Sequence, residues 1–357
     1  MATARIAVTM SSRPQGAAET LPPFRGVTLA VDALAAGPEA RQLEVDLFDD
    51  QGDLDQLRRD AERIVADERY LAVVGPMGSG PAMVSAPIFD AAGLLQISPC
   101  ASHPDLCRQG YTTFARLVAN EEDQGRALAR IAREYLGAAR VAIVLEDDVF
   151  GRTVASQFTT PFVALGGEVV ARSHYPAEAS SFDEVADEVI ASDPEVVLFA
   201  VHPVEGAAAA RTIRRGGLRV PFLGTDAVKP SFYLGGGDEH GTALHTHTGA
   251  DMRRLPSAAA FRDAYAARWP VDSTYSPEAY DAVMLIAAAR AAAASDTRHG
   301  VLDAFRALDH HDGVTGRISF TAQGERRDAP IGLYEVRMVG EQREMHFLGT
   351  TDQLLTS

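Results

Sequence analysis

The stretch Asp49–Leu106 reads DDQGDLDQLRRDAERIVADERYLAVVGPMGSGPAMVSAPIFDAAGLLQISPCASHPDL, and it decides the fold. Its first part, Asp53–Asp67, repeats apolar residues at helical spacing. The short apolar run Leu71–Val74 then ends at a glycine, which is typical of a buried strand. A second helix is predicted to begin at Ser79, and Leu94–Ile97 is another short strand. Strands and helices that alternate in this way favour a parallel sheet with helices on both faces.

The same alternation extends over the rest of the chain. After the quoted stretch the pattern restarts, and it predicts a second α/β unit of similar size with no flexible linker before it. The predicted flanking elements are strands at Arg5–Thr9, Leu43–Phe48, Ala139–Leu145, Val169–His174, Val196–Val201 and Val220–Gly224, with helices at Phe24–Ala36, Glu121–Leu136, Gly151–Leu165, Phe182–Ser192 and Val204–Arg215. Later helices near Ser257–Trp269 and Pro277–Ala294 and strands near Val314–Phe320 and Ile331–Val339 must be distributed onto both units.

Two Rossmann-like units raise the question of a dinucleotide enzyme. The fingerprint G-x-G-x-x-G should follow the first strand of a unit. Here Thr9 is followed by MSSRPQG and Leu145 by EDDVFG, and neither fits. The glycine-rich segment Gly75–Gly80 follows a third strand and lacks the Lys-Ser/Thr pair of a phosphate loop. The sequence therefore favours a binding module, since a fold alone does not give a function.

Length and composition narrow the class of protein. The 357 residues fit two domains of about 150–180 residues each, and 46% hydrophobic with 23% charged residues is a globular composition. A formal net charge of −16 argues against binding to nucleic acid or to an anionic membrane. The most apolar stretch, Ala282–Ala294, contains Arg290 and is shorter than the roughly 20 residues of a membrane helix.

The N-terminus and the cysteines each leave two interpretations. Met1–Thr9 contains an arginine and no apolar core of a secretory signal. The chain is then either a mature or trimmed form, or a protein that stays inside the cell. Cys100 and Cys107 flank a predicted turn, where they form either a small disulfide of an oxidising compartment or two free buried thiols.

The quoted stretch also resembles a known family. The pair Asp49–Asp50, the helix ending in VADE, VVGPMGS, AGLLQISP and CASHPDL are similar to the leucine/isoleucine/valine-binding proteins of branched-chain amino acid transporters. These are type I periplasmic binding proteins. The motifs that follow in family order are FAR at Phe114–Arg116, DQG at Asp123–Gly125, RVAIVLEDDVFG at Arg140–Gly151, PFLGTDAV at Pro221–Val228 and AYDAV at Ala279–Val283.

The resemblance covers essentially the whole chain and implies a fold and a function. The fold would be two Rossmann-like α/β lobes joined by three crossovers, with the ligand in the cleft between them. Lobe 1 would be residues 1–119 plus 249–324, and lobe 2 residues 120–248 plus 325–357. The implied function is that of an extracytoplasmic solute-binding protein, periplasmic or a cell-surface lipoprotein with its signal removed. It would capture an amino acid or an analogue by lobe closure and would work with an ABC permease. The alternative is a ligand-sensing receptor domain of a signalling system, either attached to its signalling partner or inside the cytoplasm.

In lobe 1 the resemblance implies an anchor for the ligand carboxylate. Ser79 matches a position that contacts that carboxylate, and the free N–H groups of a helix start support an anion. The alternative for Ser79 is a plain helix N-cap. In the loop Ser98–Ser102, the main chain of Cys100 and Ala101 and the hydroxyl of Ser102 match ligand-binding positions. The alternative for Ser102 is a cap of the short HPDL helix.

In lobe 2 the resemblance implies an anchor for the ligand ammonium. Asp226 matches the acid that pairs with it, where many relatives carry a longer glutamate, and a buried ammonium needs a fixed counter-charge. Phe150 matches an aromatic residue that covers the ligand. His202 stands at a position that is often tyrosine, and Tyr275 is a further candidate for the apolar wall of the pocket. These departures favour an amino-acid-like ligand without defining its side chain.

The remaining polar motifs predict neither a metal site nor a catalytic site. His245 and His247, with His240 nearby, match no standard metal-site spacing. His310 and His311 lie in a predicted solvated loop. The sequence contains no nucleophile elbow and no paired carboxylates on strand ends, so an α/β enzyme is disfavoured. We expect no cofactor and no catalytic residues.

Overall fold

The computed structural model describes residues 4–11, 14–36, 43–176, 179–228, 242–249, 251–269, 274–339 and 342–355. The strands are β1 Ala4–Met10, β2 Leu43–Asp49, β3 Tyr70–Val74, β4 Leu95–Ser98, β5 Phe114–Arg116, β6 Arg140–Glu146, β7 Glu168–Tyr175, β8 Val196–Ala200, β9 Phe222–Gly224, β10 Ala243–His247, β11 His311–Gly313, β12 Gly316–Ile318, β13 Gly332–Val339 and β14 Gln342–Thr350. The helices are α1 Pro14–Ala36, α2 Leu54–Ala66, α3 Ser79–Ala91, α4 Glu121–Arg130, α5 Val149–Ala164, α6 Asp183–Ala191, α7 Pro203–Arg215, α8 Ala259–Arg268, α9 Ser276–Ala292, α10 Arg298–Ala307 and α11 Thr351–Leu354.

The chain divides into two compact units. The first comprises Met1–Ala119 with Gly249–Ala329, and the second Asn120–Thr248 with Pro330–Ser357, so the chain passes between them three times. The last boundary lies after Ala329, not after residue 324 as predicted. The reason is that Glu325 pairs with Arg116 and Arg326 donates to the carbonyl of Leu117, which ties this segment to the first unit.

The first unit is built on a five-stranded parallel sheet of order β2-β1-β3-β4-β5. Alternate residues of each strand face opposite sides. Ala72 and Val74 pack in one core, against α1, α9 and α10, whereas Val73 packs in another core, with residues of α2 and α3. Helices α1 and α9 approach closely at Gly26, where a Cβ atom would lie 1.9 Å from the carbonyl oxygen of Ser276.

The second unit is built on a seven-stranded sheet of order β14-β13-β10-β9-β8-β6-β7. Strands β10, β9, β8, β6 and β7 are parallel, while β13 is antiparallel to β10 and β14 antiparallel to β13. Val144 and Phe199 belong to the core on the side of α6 and α7. Ile143 and Leu198 belong to the core on the other side, with α4 and α5. The two-layer burial explains why these strands are continuously apolar in sequence.

Several elements differ from the prediction. Helix α1 begins at Pro14 rather than near Phe24, and two prolines lie inside it. Prolines usually break helices, so the sequence pattern suggested a later start. The strand predicted near Val314–Phe320 is instead the hairpin β11–β12. The short elements β5, β10 and α10 and the long strand β14 were not predicted as elements. None of the helices formed by the described residues combines the length and apolarity required to span a membrane.

Candidate functional site

Two loops of the first unit meet at the carboxyl ends of β3 and β4, which is where open α/β sheets place their binding sites. Ser98, fully buried, donates its hydroxyl to the carbonyl of Pro76 at 2.9 Å and accepts the N–H of Ala101 at 3.0 Å. The thiol of Cys100 donates to the carbonyl of Met77 at 2.9 Å. These bonds fix the loop after β4 against the loop after β3.

Ser79 lies in the first turn of α3, but it is not the cap of that helix. Gly78 occupies the N-cap position with extended backbone and offers no side chain, so the capping interpretation of Ser79 is wrong. The Ser79 hydroxyl instead accepts the N–H groups of Ser102 at 3.2 Å and His103 at 3.1 Å. A hydroxyl has two acceptor lone pairs and one proton. Both lone pairs are occupied here, so the proton is the group that Ser79 can offer to an anion.

The cap of the following short helix is also not the residue considered in the sequence. His103 precedes the 3₁₀ turn Pro104–Cys107, and its Nδ1 accepts the N–H of Asp105 at 3.3 Å. The alternative interpretation of Ser102 as that cap is therefore wrong. Ser102 is half-buried beside Ser79, and its N–H is one of the groups that join the two loops.

Arg116 fixes the loop after β4 through its hydrogen bonds, and the sequence analysis did not assign it a role. Its side chain is 0% exposed and donates to the carbonyls of Ala101 at 3.3 Å, His103 at 2.8 Å and Pro104 at 3.4 Å. Two further bonds, at 2.8 and 2.6 Å, reach the carboxylate of Glu325. Ala101 is fully buried, and both its N–H and its carbonyl are bonded inside the unit. The FAR motif that contains Arg116 was the only sequence signal.

Cys100, Cys107 and Tyr275 are the other residues of the first unit to which the sequence analysis gave a role or an alternative. No disulfide joins Cys100 to Cys107, so the disulfide alternative does not apply to this structure. Burial raises the pKa of Cys107 to about 12. Tyr275 is half-buried at the start of α9 and adopts a left-handed backbone with φ 53°. It occupies the N-cap position without a side-chain cap bond.

In the second unit, Phe150 lies in the first turn of α5, just after the carboxyl end of β6. Asp148 caps this helix by accepting the N–H of Gly151 at 2.7 Å. A Cβ atom on Gly151 would lie 2.1 Å from the carbonyl oxygen of Glu146 and 2.9 Å from that of Ala200. The glycine of the DDVFG motif thus allows the helix start to approach the ends of β6 and β8.

His202 occupies the N-cap position of α7, after the end of β8, and the structure brings it together with Phe150. Their ring centroids are 5.3 Å apart with an interplanar angle of 35°. The Nε2 atom of His202 lies 3.1 Å from Oδ2 of Asp148, and the His202 N–H donates to Oε2 of Glu146 at 3.3 Å. The sequence analysis missed these two carboxylates, although the acidic run after an apolar strand was a visible signal.

Glu146 and Tyr175 are buried polar residues of neighbouring strands. The side chains lie at paired positions of the parallel strands β6 and β7 and are 5% and 2% exposed. Burial raises the pKa of Glu146, while the nearby His202 lowers it in part. Burial is also the main cause of a raised pKa of Tyr175, to which the charges of Glu146, Glu205 and Asp148 contribute.

Asp226 follows β9 and is held by a glutamine that the sequence analysis did not single out. Gln124, 2% exposed in the first turn of α4, donates its amide to Oδ1 of Asp226 at 2.6 Å and to the hydroxyl of Thr246 at 3.0 Å. Strands β6, β8 and β9 are neighbours in the sheet. Phe150, His202 and Asp226 therefore share its carboxyl edge.

The two histidine pairs belong to β10 and to the β11–β12 hairpin region. His245 and His247 are in β10, and His245 stacks on Tyr334 at 5.2 Å, whereas His240 lies outside the described residues. His310 pairs with Asp309 on the surface. His311 is half-buried in the β11–β12 hairpin rather than in a solvated loop, and burial lowers its pKa.

Comparison with known proteins identifies the family. A family model described as periplasmic binding protein matches residues 7–342. The chain belongs to the periplasmic binding protein family. Its relatives include the Leu/Ile/Val-binding protein BraC3 of Rhizobium johnstonii, which is 26% identical over 315 residues that cover 87% of this chain and 85% of the relative.

Solved structures of the family share the fold. The leucine binding protein LivK of Thermotoga maritima matches with a TM-score of 0.86 at 21% identity, over 97% of this chain and 98% of that one. The binding protein LivJ of Streptococcus pneumoniae, solved in complex with isoleucine, matches with a TM-score of 0.83 at 23% identity, over 97% and 99%. The predicted family and the two Rossmann-like α/β lobes are therefore confirmed. Periplasmic binding proteins with this fold are substrate-binding proteins, not a class of enzyme.

Proposed function

We propose that this protein is the substrate-binding component of an ABC importer and captures a free amino acid, or a close analogue, by closure of its two units. The family membership supports this proposal, as do the names of relatives that bind leucine, isoleucine and valine. Such a component acts outside the cytoplasm and delivers its ligand to a membrane permease. Hinged closure around a ligand is a general property of two-lobed binding proteins.

One observation carries the proposal: at the carboxyl edge of its sheet, one unit offers a hydrogen-bond donor for an anion and the other offers a carboxylate for a cation. The first unit presents Ser79 at the start of α3, where its hydroxyl accepts two backbone N–H groups and can donate its proton to an anion. Helix starts favour anions. The second unit presents Asp226, oriented by the buried amide of Gln124. An amino acid carries one carboxylate and one ammonium, and each needs a partner of opposite character when it is buried.

The residues expected to contact the side chain of the ligand explain why we propose an amino-acid-like ligand and not one particular amino acid. The ring of Phe150 offers apolar cover, which suits an aliphatic or aromatic side chain. His202 and its partner Asp148 add polar groups to the same edge. A ligand with a hydrogen-bonding side chain is therefore as compatible with this edge as leucine is.

The test is calorimetric titration of the protein with leucine, isoleucine and a panel of other amino acids, each paired with its N-acetyl and amide derivatives. We expect binding of at least one free amino acid and loss of binding for its N-acetyl form, which has no ammonium, and for its amide, which has no carboxylate. Recovery of the ligand unchanged after incubation would support capture rather than catalysis. Equal affinity for the free and N-acetyl forms would contradict the proposal.

Matched variants locate the two anchors. Asp226→Asn should weaken binding by about 2–5 kcal/mol, because it removes the charge opposite the ammonium. Ser79→Ala should weaken it by about 1–2 kcal/mol, for one lost bond to a charged group. Asp187→Asn is the control, since Asp187 is exposed on α6 of the same unit. Undiminished affinity in Asp226→Asn would show that the ammonium binds elsewhere.

A further inference from the structure

We propose that Glu146, Asp148 and His202 form a binding site for a divalent metal ion, with zinc as its best match. One carboxylate oxygen from each acid and one ring nitrogen of the histidine all lie within 4.8 Å of one another. Among the residues that the structure describes, no other set of three potential ligands brings its donor atoms this close. The site lies entirely within the second unit and does not depend on the proposed function.

The charges of the cluster fit a dication. Across the described ranges, neither carboxylate forms an ion pair with an arginine or a lysine, and Asp148 pairs only with His202. Glu146 is 5% exposed, yet its carboxylate receives only the N–H of His202, at 3.3 Å, from the described groups. Buried charges are normally paired or coordinate a metal. Two carboxylates and a neutral imidazole balance a charge of +2.

A second observation points to the same place. The hydroxyl of Tyr175 is buried, and the described residues give it no hydrogen-bond partner. Because Tyr175 and Glu146 are paired in register on neighbouring strands, their side chains lie on the same face of the sheet. The hydroxyl is therefore placed to donate to a metal-bound carboxylate or water. Groups of this kind orient the ligands of metal sites.

The spacing of the three donor atoms fits a single ion. Nε2 of His202 and Oδ2 of Asp148 lie 3.1 Å apart, close to the ~3.4 Å between two ligands of a tetrahedral zinc ion whose bonds are about 2.1 Å long. The Glu146 oxygen lies within 4.8 Å of both atoms, so an inward movement of at most about 1.4 Å brings it to the same spacing. Two of the three ligands are already oriented. Oδ1 of Asp148 caps α5 and leaves Oδ2 facing His202, and the ring of His202 packs on Phe150.

Three protein ligands leave a fourth zinc position open, as in zinc sites that bind water or a ligand group. That position lies on the carboxyl edge of the second sheet, beside Phe150. A zinc ion there would add a positive charge to an edge that is otherwise acidic. The site would therefore change which small molecules this edge can accept.

The experiment is titration of the full chain, first freed of metal by a chelator, with ZnCl₂ in a calorimeter. Elemental analysis after gel filtration gives the stoichiometry. We expect one zinc ion per chain, and affinity reduced by more than about tenfold in both His202→Gln and Glu146→Gln, each of which removes a ligand. Tyr175→Phe should reduce affinity by a smaller factor. His310→Gln is the matched control, because His310 is an exposed histidine between Asp309 and Asp312.

Two readouts separate metal binding from folding. In chelator, Glu146→Gln should melt no lower than the wild type, since it removes an uncompensated buried charge. With zinc added, the melting temperature should rise in the wild type and not in Glu146→Gln. The proposal is overturned if the wild type retains no zinc after gel filtration. It is also overturned if His202→Gln and Glu146→Gln bind zinc as the wild type does.

Discussion

The ion pair between Arg116 and Glu325 gives the sharpest prediction on stability. Arg116 is 0% exposed and Glu325 is 24% exposed, and two bonds of 2.8 and 2.6 Å join them. Glu325→Ala removes the only acid that pairs with Arg116 in the described part of the chain and leaves a guanidinium buried. The variant should therefore be strongly destabilised.

The magnitude follows from what remains around the guanidinium. Breaking a buried ion pair from one side costs about 3–5 kcal/mol. Three carbonyl oxygens, those of Ala101, His103 and Pro104, still accept from Arg116, so we expect a loss of about 3 kcal/mol. For a unit of this size, that loss lowers Tm by about 6–12 °C.

Differential scanning calorimetry measures the shift, and hydrogen exchange localises it. The amides of Ser102 and His103 should exchange faster in Glu325→Ala, because Arg116 no longer holds their loop firmly. Asp309→Ala, which removes an exposed partner of Arg317, is the control and should leave Tm unchanged. Replacing both charges, as Arg116→Met with Glu325→Leu, should recover part of the loss. A Tm of Glu325→Ala within about 2 °C of the wild type would refute this reasoning.

Two further predictions concern a close approach and a thiol. Gly151→Ala should lower Tm, because its Cβ would lie 2.1 Å from a carbonyl oxygen. Gly80→Ala is the control and should not lower Tm, because nothing lies within 4 Å of a Cβ there. An equal Tm for the two variants would show that the start of α5 can move to accommodate the methyl group. Cys107, with its pKa raised to about 12, should be about one part in ten thousand thiolate at pH 8. Iodoacetamide should therefore label it only after unfolding, as peptide mass spectrometry would show, and rapid labelling of the native protein would mean that the thiol is accessible.

The strands and helices were predictable from the sequence where a short run of residues determines them. The runs Leu71–Val74 and Val196–Val201 are apolar on both faces because helices cover both sides of each sheet, and they correspond to β3 and β8. Strand β10, with the sequence ALHTH, was missed because its polar residues gave no strand signal. His245 and Thr246 are nevertheless buried, and β10 is an interior strand that pairs with β9 on one side and β13 on the other.

The candidate site was predictable only in part, because the supporting residues come from distant segments. Ser79, Phe150, His202 and Asp226 lie in the loops or helix starts that directly follow β3, β6, β8 and β9. The partner of Asp226 is a glutamine 102 positions away. Arg116 holds the loop after β4 with the help of Glu325, 209 positions later. A sequence pattern records residue types, but it cannot record which distant side chains the packing brings together.

The three passages of the chain between the units have a consequence for biosynthesis. In the first unit, Ile6 and Val74 pack with residues of α9, which the ribosome makes only after residues 120–248 of the second unit. Until α9 emerges, one apolar face of the first sheet is uncovered, and exposed surfaces of this kind promote aggregation. The second sheet likewise waits for β13 and β14. The order of translation thus makes the nascent chain a candidate client for chaperones, which a protein of two contiguous domains would avoid.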